Sequence, residues 1–219
     1  MEISYLGHSA FKIRGKDTTL VIDPFDPEFL GWPKGAWKKQ EADVVLVTHP
    51  HHDHDYVGGV TGKNGQSFII NGAGEYEVGG VRVFGIPCYH DRKQGKERGN
   101  NTIYLIEIDG FSLVHLGDLG HPLDDKQVED LSTVDILFVP VGGVVTINAE
   151  AATEVIAKLE PSFVIPMHYQ EEGKTAELES LEKFLKAMGK SEVRRQDKLK
   201  VSIGEELPEE TAVVVLEKS

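Results

Sequence analysis

A buried strand that runs directly into a cluster of histidines limits what this chain can fold into more than any other feature does. Residues 43–48 are nearly all apolar or β-branched, which predicts a strand buried on both faces. Four of the chain's nine histidines follow within residues 49–54. Because loops that leave the ends of strands commonly carry functional residues, we expect a metal site at this end of a sheet.

The spacing of these residues is compatible with two neighbouring metal ions. Pro50 biases His49 away from helical geometry, so the loop should start extended. In an extended backbone, residues two apart point to the same side, which lets His49 and His51 share one ion. Asp53 and His54 then face a second ion. An exposed loop that binds metal adventitiously is the alternative, but this run continues a core strand.

The rest of the chain predicts an α/β protein that is rich in sheet. Apolar and polar residues alternate over 11–14, and the chain turns at 15–17 and returns over 19–22, which predicts a hairpin. A similar hairpin that also leads to an aspartate is predicted over 103–118. We expect a surface loop or short helix over 31–40. Further strands are predicted at 67–70, 81–86, 102–108, 112–116, 136–139, 163–165 and 212–216.

Helices are predicted mainly in the second half of the chain. Asn148 can cap a helix over 149–159, and a weaker helix is predicted over 124–131. Apolar residues three and four apart over 178–188 predict an amphipathic helix that Gly189 ends. With many strands, interspersed helices and no linker, we expect residues 1–219 to form one domain with packed sheets and helices outside.

Composition restricts the partners and the location. The net charge of -13 disfavours nucleic acid, because affinity for nucleic acid comes largely from basic residues that neutralise phosphates. No apolar run approaches a membrane span or a secretion signal, and Cys88 is the only cysteine, so we expect a cytoplasmic protein without membrane contact. Homo-oligomerisation stays open. One basic run can be either a solvated loop or a local anion site: Arg92, Lys93, Lys96 and Arg98.

The histidine-rich loop resembles the signature His-x-His-x-Asp-His of the metallo-β-lactamase fold superfamily. The signature residues are His49, His51, Asp53 and His54. The resemblance continues in the expected order along most of the chain, through a histidine after a strand, an aspartate in a Gly-Asp loop and a histidine after a late strand. These three later residues are His90, Asp118 and His168.

This resemblance implies a four-layer αββα sandwich and a site for two divalent ions. It implies that one ion is held by His49, His51 and His90, the other by Asp53, His54 and His168, and both by Asp118. Imidazole and carboxylate ligands suit Zn, with Mn or Fe as alternatives. A hydroxide bound between such ions, formed because they lower the pKa of water to about 7, would be the nucleophile.

Three further segments resemble the UlaG-like branch, which includes the ascorbate-6-phosphate lactonase and other metal-dependent hydrolases. These segments are residues 5–9, 22–24 and 166–169. The resemblance implies hydrolysis of a small-molecule ester, lactone or phosphoester, and the substrate can be phosphorylated. Asp53 and His8 are the predicted catalytic residues: Asp53 orients the hydroxide, and His8 contacts substrate or a metal ligand. A structural hydrogen bond is the alternative for His8.

Other functions remain in competition with this one. A phosphodiesterase or nuclease on the same fold and a non-catalytic metal-binding module both use the same ligands. A di-iron redox protein is disfavoured, because such relatives usually carry glutamate where this chain has His51.

Seven positions near the predicted ligands have secondary hypotheses. Asp23 can orient a ligand histidine or shape its turn. His52 should point away from the site, and His115 should be a hydrogen-bonded core residue. His121 can line the cleft, Tyr169 can contact substrate or pack, and the glycines at 142–143 predict a tight turn.

Overall fold

The computed structural model describes residues 1–63, 65–131, 133–175, 177–190, 193 and 195–219. Within these ranges the strands, in chain order, are β1 (Glu2–Gly7), β2 (Ala10–Arg14), β3 (Thr19–Ile22), β4 (Gln40–Glu41), β5 (Val44–Leu46), β6 (Val60–Thr61), β7 (Phe68–Ile70), β8 (Gly74–Val78), β9 (Val81–Tyr89), β10 (Asn100–Ile108), β11 (Phe111–His115), β12 (Ile136–Pro140), β13 (Phe163–Met167), β14 (Arg195–Gln196), β15 (Leu199–Lys200), β16 (Ala212–Val213) and β17 (Val215–Leu216). The α-helices are α1 (Asp125–Asp130), α2 (Ala149–Leu159) and α3 (Leu181–Ala187), and short 3-10 helices cover Lys34–Ala36 and Val57–Gly59.

Two large sheets pack face to face. The first has the strand order β15-β1-β2-β3-β5-β7 and the second the order β16-β13-β12-β11-β10-β9-β8. Apolar side chains of both sheets form one buried cluster, in which the rings of Phe11 and Phe138 lie 4.4 Å apart. Burial of this shared apolar surface holds the sheets together. The expected mixed α/β sandwich is confirmed.

The outer faces of the two sheets are covered differently. Residues of α2 and α3, including Val155 and Phe184, pack on the second sheet. The first sheet is covered by an irregular segment in which Trp32 and Trp37 pack against Phe25, at ring distances of 5.3 and 4.9 Å. The expected loop or short helix over 31–40 does contain a 3-10 turn, but both tryptophans are buried because they cover the sheet.

The helices begin and end largely where their sequences predict. Asn148 accepts a hydrogen bond from the Ala151 amide at 3.0 Å and caps α2. The third helix begins at Leu181, later than the predicted residue 178, and ends at Ala187, two residues before Gly189, whose φ of 67° is left-handed. None of the helices in the described ranges has the length and apolar character of a membrane span.

Strand directions bring the predicted site residues to one edge of each sheet. In the first sheet β1, β3 and β5 run the same way, and in the second β9, β11, β12 and β13 do. The carboxyl ends of parallel strands share an edge, which is where ligand sites of such sheets lie. The residues that follow these ends are His8, Asp23, His49, His90, Asp118 and His168.

Candidate metal centre

The loop after β5 coils into a tight turn. The His51 amide donates to the His49 carbonyl oxygen at 3.0 Å, and the His54 amide donates to the His51 carbonyl oxygen at 2.8 Å. The expectation of an extended start is therefore wrong, because the fixed φ of Pro50 suits a γ-turn between its neighbours. The turn still places His49 beside His51, with ring centroids 4.4 Å apart.

His90 joins His49 and His51 in a first group of ligating atoms. Its ring lies 4.9 Å from that of His49 and 5.2 Å from that of His51. One nitrogen from each ring lies within 4.8 Å of the others, which is close enough for one ion to bind all three. Burial and the neighbouring charge of His54 lower the pKa of His49 to about 2, so this imidazole is neutral, as a metal ligand must be.

A second group contains Asp53, His54, His168 and His8, whose ligating atoms also lie within 4.8 Å of one another. His168 has a left-handed φ of 53°, and its amide donates to the His8 carbonyl oxygen at 2.8 Å. Gly142, directly before a turn that starts at Gly143, packs behind it: a Cβ atom at position 142 would lie 2.0 Å from the His168 carbonyl oxygen. The predicted glycine turn at 142–143 therefore supports the last histidine.

Asp118 lies between the two groups. Its Oδ2 atom is 3.2 Å from Nε2 of His90, which belongs to the first group, and 3.2 Å from Nε2 of His168, which belongs to the second. The same oxygen is 3.4 Å from His54 Nε2 and 3.9 Å from His49 Nε2. One carboxylate therefore faces both groups, as a ligand shared by two ions would.

Asp23 supports the site from behind. The fully buried carboxylate accepts hydrogen bonds at 2.8 Å from the Thr48 amide, the Thr48 hydroxyl and His54 Nδ1. A carboxylate only accepts, so His54 keeps a proton on Nδ1, and Nε2 is the nitrogen that would bind a metal ion in exchange for a proton. The expected contact between Asp23 and a predicted ligand histidine is therefore confirmed.

Carboxylates dominate the electrostatics of the cluster. Burial opposes ionisation of Asp118, but His168 and His54 hold its pKa well below the usual value. Burial likewise opposes a charge on His54, but Asp118, Asp53 and Asp23 raise its pKa well above the ordinary value. The centre therefore attracts positive charge strongly.

The donor set of the cluster fits metal binding. Within the described part of the chain, several buried polar atoms of the cluster have no hydrogen-bond partner, and these are His49 Nε2, His54 Nε2, His90 Nδ1, Asp118 Oδ1 and His168 Nδ1. Leaving buried polar atoms unpaired is costly, about 1–3 kcal/mol each. A cluster of imidazoles and carboxylates with free lone pairs is able to bind metal, and the structure brings all seven predicted ligands into it.

His8 is held by residues that the sequence did not single out. The Lys174 ammonium lies 2.6 Å from His8 Nδ1, and Glu171 Oε2 accepts the His8 amide at 2.9 Å. On its other side, His8 Nε2 lies 3.2 Å from Asp53 Oδ2. Lys174 and Glu171 follow His168 in a charged run that is typical of a solvated loop, so no local signal indicated them.

The remaining histidines and Tyr169 lie outside the two groups. His115 is buried, with Nε2 3.0 Å from the Ser9 carbonyl oxygen and Nδ1 accepting from Gly117, which confirms the core hypothesis. The side chain of His52 is 76% exposed. His121 lines a neighbouring cleft and accepts from the Tyr89 amide. Tyr169 is buried and stacks on Tyr5, so it packs.

An open cleft of about 440 Å³ leads to the cluster. Its walls are Phe29, Pro50, His51, His52, Asp53, His90, Arg98, Asp118 and Val145. Arg98 comes from the basic run, whose loop is folded around Asp91. That carboxylate accepts four backbone amides, those of Lys93, Gly95, Glu97 and Arg98. Asp91 directly follows His90, so the loop that carries Arg98 is fixed relative to a predicted ligand.

Comparisons with known proteins agree with this geometry. The profile of the beta-lactamase superfamily domain matches residues 2–168. A UPF0173 metal-dependent hydrolase of Thermococcus onnurineus is 32% identical over 193 residues, covering 77% of this chain and 84% of that one. Another of Pelotomaculum thermopropionicum is 33% identical over 198 residues, with the same coverage of 77% and 84%.

A solved structure extends the similarity over nearly the whole fold. It is the crystal structure of a Thermotoga maritima protein of the metallo-beta-lactamase superfamily that is named as a Zn-dependent hydrolase. The two chains are 34% identical with a TM-score of 0.78, and the match covers 98% of this chain and 97% of the other.

The fold and the histidine–aspartate cluster define this protein as a member of the metallo-β-lactamase superfamily. More narrowly, the chain belongs to the UPF0173 metal-dependent hydrolase family within it.

Proposed function

We propose that this protein hydrolyses a small-molecule ester, lactone or phosphoester at a site that holds two divalent metal ions, with Zn favoured over Mn or Fe. The position of Asp118 between the two ligand groups is the observation that carries the proposal. A single ion would need only one of the groups.

The ligands of this chain leave the proposed site with a net positive charge. Asp53 and Asp118 supply two negative charges against the four positive charges of two divalent ions. Ions bound here would lower the pKa of water to about 7 and polarise a carbonyl or phosphoryl oxygen of the substrate. The excess positive charge favours a transition state in which negative charge develops on oxygen.

The walls of the cleft favour a small anionic substrate. Arg98 is the only lysine or arginine among the described residues that line it, and the salt bridges of the described residues do not include its guanidinium. Phe29 and Val145 offer apolar surface beside it. A phosphate or carboxylate of the substrate would bind Arg98. A net charge of -13 opposes a nucleic-acid substrate.

Membership of the UlaG-like branch is part of this proposal, on the strength of residues 5–9, 22–24 and 166–169. We further propose that residues 1–219 act as one domain, since both sheets share the central apolar cluster. The cytoplasmic location remains a prediction, and the oligomeric state remains open.

The test compares two neighbouring histidines of the same loop. We expect the protein to bind about two equivalents of Zn or Mn per chain by elemental analysis. His51→Ala should abolish turnover and weaken metal binding, whereas His52→Ala should leave metal binding unchanged because its exposed side chain belongs to neither ligand group. Full activity of a metal-replete His51→Ala variant would refute the proposal.

The substrate class is tested separately on the native protein. Activity on lactones or phosphomonoesters would support the small-molecule proposal. Activity confined to a phosphodiester such as bis(p-nitrophenyl) phosphate would favour the phosphodiesterase alternative. Metal binding without turnover on any of these classes would favour a non-catalytic metal-binding module.

A further inference from the structure

The segment that follows β13 holds His8 at every polar atom except Nε2. The His8 carbonyl oxygen accepts from the His168 amide at 2.8 Å and from the Tyr5 hydroxyl at 3.0 Å. Its amide donates to Glu171 at 2.9 Å, and its Nδ1 contacts Lys174 Nζ at 2.6 Å. His8 itself has a left-handed φ of 57°. The ring is therefore fixed, and only the role of Nε2 remains to be explained.

His8 could in principle bind a metal ion. Its ligating nitrogen lies within 4.8 Å of a carboxylate oxygen of Asp53 and of the ligating nitrogens of His54 and His168. The alternative is that Nε2 carries a proton and donates it to Asp53 Oδ2, which lies 3.2 Å away. The two roles exclude each other, because a protonated Nε2 has no lone pair for a metal. The tautomer of His8 decides between them.

Lys174 settles the tautomer. An ammonium group has three donors and no lone pair, so its contact with His8 Nδ1 requires Nδ1 to accept. Its other neighbours are acceptors too, the Tyr169 carbonyl oxygen at 3.3 Å and a Glu171 carboxylate oxygen at 3.8 Å. Burial lowers the pKa of Lys174 to about 8 and Glu171 opposes this shift, while the two acceptors beside Nζ stabilise the ammonium form. With Nδ1 accepting, a neutral His8 carries its proton on Nε2.

We infer that Lys174 is a positioning residue that fixes His8 with its proton on Nε2, so that His8 donates to Asp53 and stays out of the metal coordination set. His8 then orients the Asp53 carboxylate toward the proposed second ion. Supporting groups of this kind commonly change metal affinity by roughly 10- to 100-fold. The inference rests on the proposed metal site, but the proton position can be measured without a metal.

The first experiment is nitrogen-15 NMR of the histidine rings in the full chain, with the His8 signals assigned by comparison with His8→Asn. We expect a protonated Nε2 on His8 both in chelator-treated protein and after two equivalents of Zn are added. A proton on Nδ1, or a Zn-induced shift of Nε2 to that of a coordinated nitrogen, would overturn the inference. A failure of Zn to bind would instead overturn the proposed function, and the tautomer in the chelator-treated protein would still stand.

The second experiment removes the donor. Lys174→Met keeps the length of the side chain but cannot donate, and it should bring a mixed His8 tautomer and a fall of about tenfold in Zn affinity in chelator competition. Lys174→Arg, which can still donate, should keep the wild-type His8 tautomer and the wild-type Zn affinity. Lys183→Met, on α3 where Lys183 pairs with Glu179, is the matched control and should change neither. An unchanged tautomer or unchanged affinity in Lys174→Met would refute the positioning role.

Discussion

Replacing Asp23 by asparagine tests whether the site depends on the proton position of a ligand. The buried Asp23 carboxylate accepts from the Thr48 amide with Oδ1, and from the Thr48 hydroxyl and His54 Nδ1 with Oδ2. Asn can keep the first bond through its carbonyl oxygen. Its NH2 group then occupies the place of Oδ2 and faces two former donors. The Thr48 hydroxyl can rotate to accept, but His54 Nδ1 can accept only if the ring proton moves to Nε2.

This shift of the proton sets the size of the expected effect. Nε2 of His54 is the atom that faces Asp118 at 3.4 Å, and a proton there blocks metal binding. Restoring the correct tautomer in the variant costs the hydrogen bond to a charged acceptor, about 1.5–3 kcal/mol. Since about 1.4 kcal/mol is a factor of ten in affinity, Asp23→Asn should lower the affinity for the ion that His54 binds by roughly 10- to 100-fold. The metal affinity of the group formed by His49, His51 and His90 should fall less.

Competition with a fluorescent chelator, analysed for two binding steps, measures this effect. Asp43→Asn is the matched control, because Asp43 accepts from the Thr19 amide at 2.8 Å at the opposite end of β5. It should reduce the free energy of unfolding in urea without changing either metal affinity. If Asp23→Asn bound both ions with the dissociation constants of the wild type, the proposed role of the His54 proton would be refuted. If Asp23→Asn and Asp43→Asn lost equal metal affinity, the effect would come from general destabilisation.

Three further predictions concern other parts of the molecule. Gly142→Ala would place a Cβ 2.0 Å from the His168 carbonyl oxygen and should cost roughly 1–3 kcal/mol in urea unfolding, whereas Gly35→Ala, with open space around it, should be near neutral. Burial raises the pKa of Cys88 to about 12, so alkylation at pH 8 should be roughly a thousandfold slower in the native than in the unfolded protein, as read by mass spectrometry. Arg98→Met should raise KM about tenfold for an anionic ester and leave it unchanged for a neutral one; equal changes for both would refute a role in anion binding.

The ligands that lie just beyond the ends of strands could be predicted from the sequence. Apolar runs such as 43–48 identify strands, and each predicted ligand lies in a loop just beyond one of them. Parallel neighbours then gather these loops at one edge, so the cluster follows from local patterns plus strand direction. By contrast, β1 and β8 were not predicted. The alternation in β1 covers only residues 2–5, which is short for a strand signal. The residues of β8 are half-buried or exposed, so apolar periodicity does not mark that strand.

Contacts between distant parts of the chain could not be predicted in this way. Lys174 lies in a run of polar and charged residues, 170–175, that is typical of an exposed loop. It is buried because its ammonium meets His8, 166 positions earlier in the chain, and because Glu171 and a carbonyl oxygen compensate its charge. Charged residues are almost never fully buried unless they are paired, and a sequence does not show a pair made by tertiary packing.

The two hairpins that end in aspartate show how one pattern can place a carboxylate in two different roles. In the register of the two sheets, Asp23 is equivalent to Leu116. Asp23 directly follows β3, and its amide donates to the Leu46 carbonyl oxygen of the parallel strand β5 at 2.9 Å. Leu116 directly follows β11, and its amide donates to the Phe138 carbonyl oxygen of the parallel strand β12 at 3.2 Å. Asp118 therefore lies two residues beyond the position of Asp23, not at its equivalent. Two residues of chain add up to about 7 Å of reach. Asp23 consequently stays in the core behind His54, whereas Asp118 extends between the two ligand groups, and the extra residues include Gly117, whose φ of 55° and close approach to Thr48 would strain any other side chain.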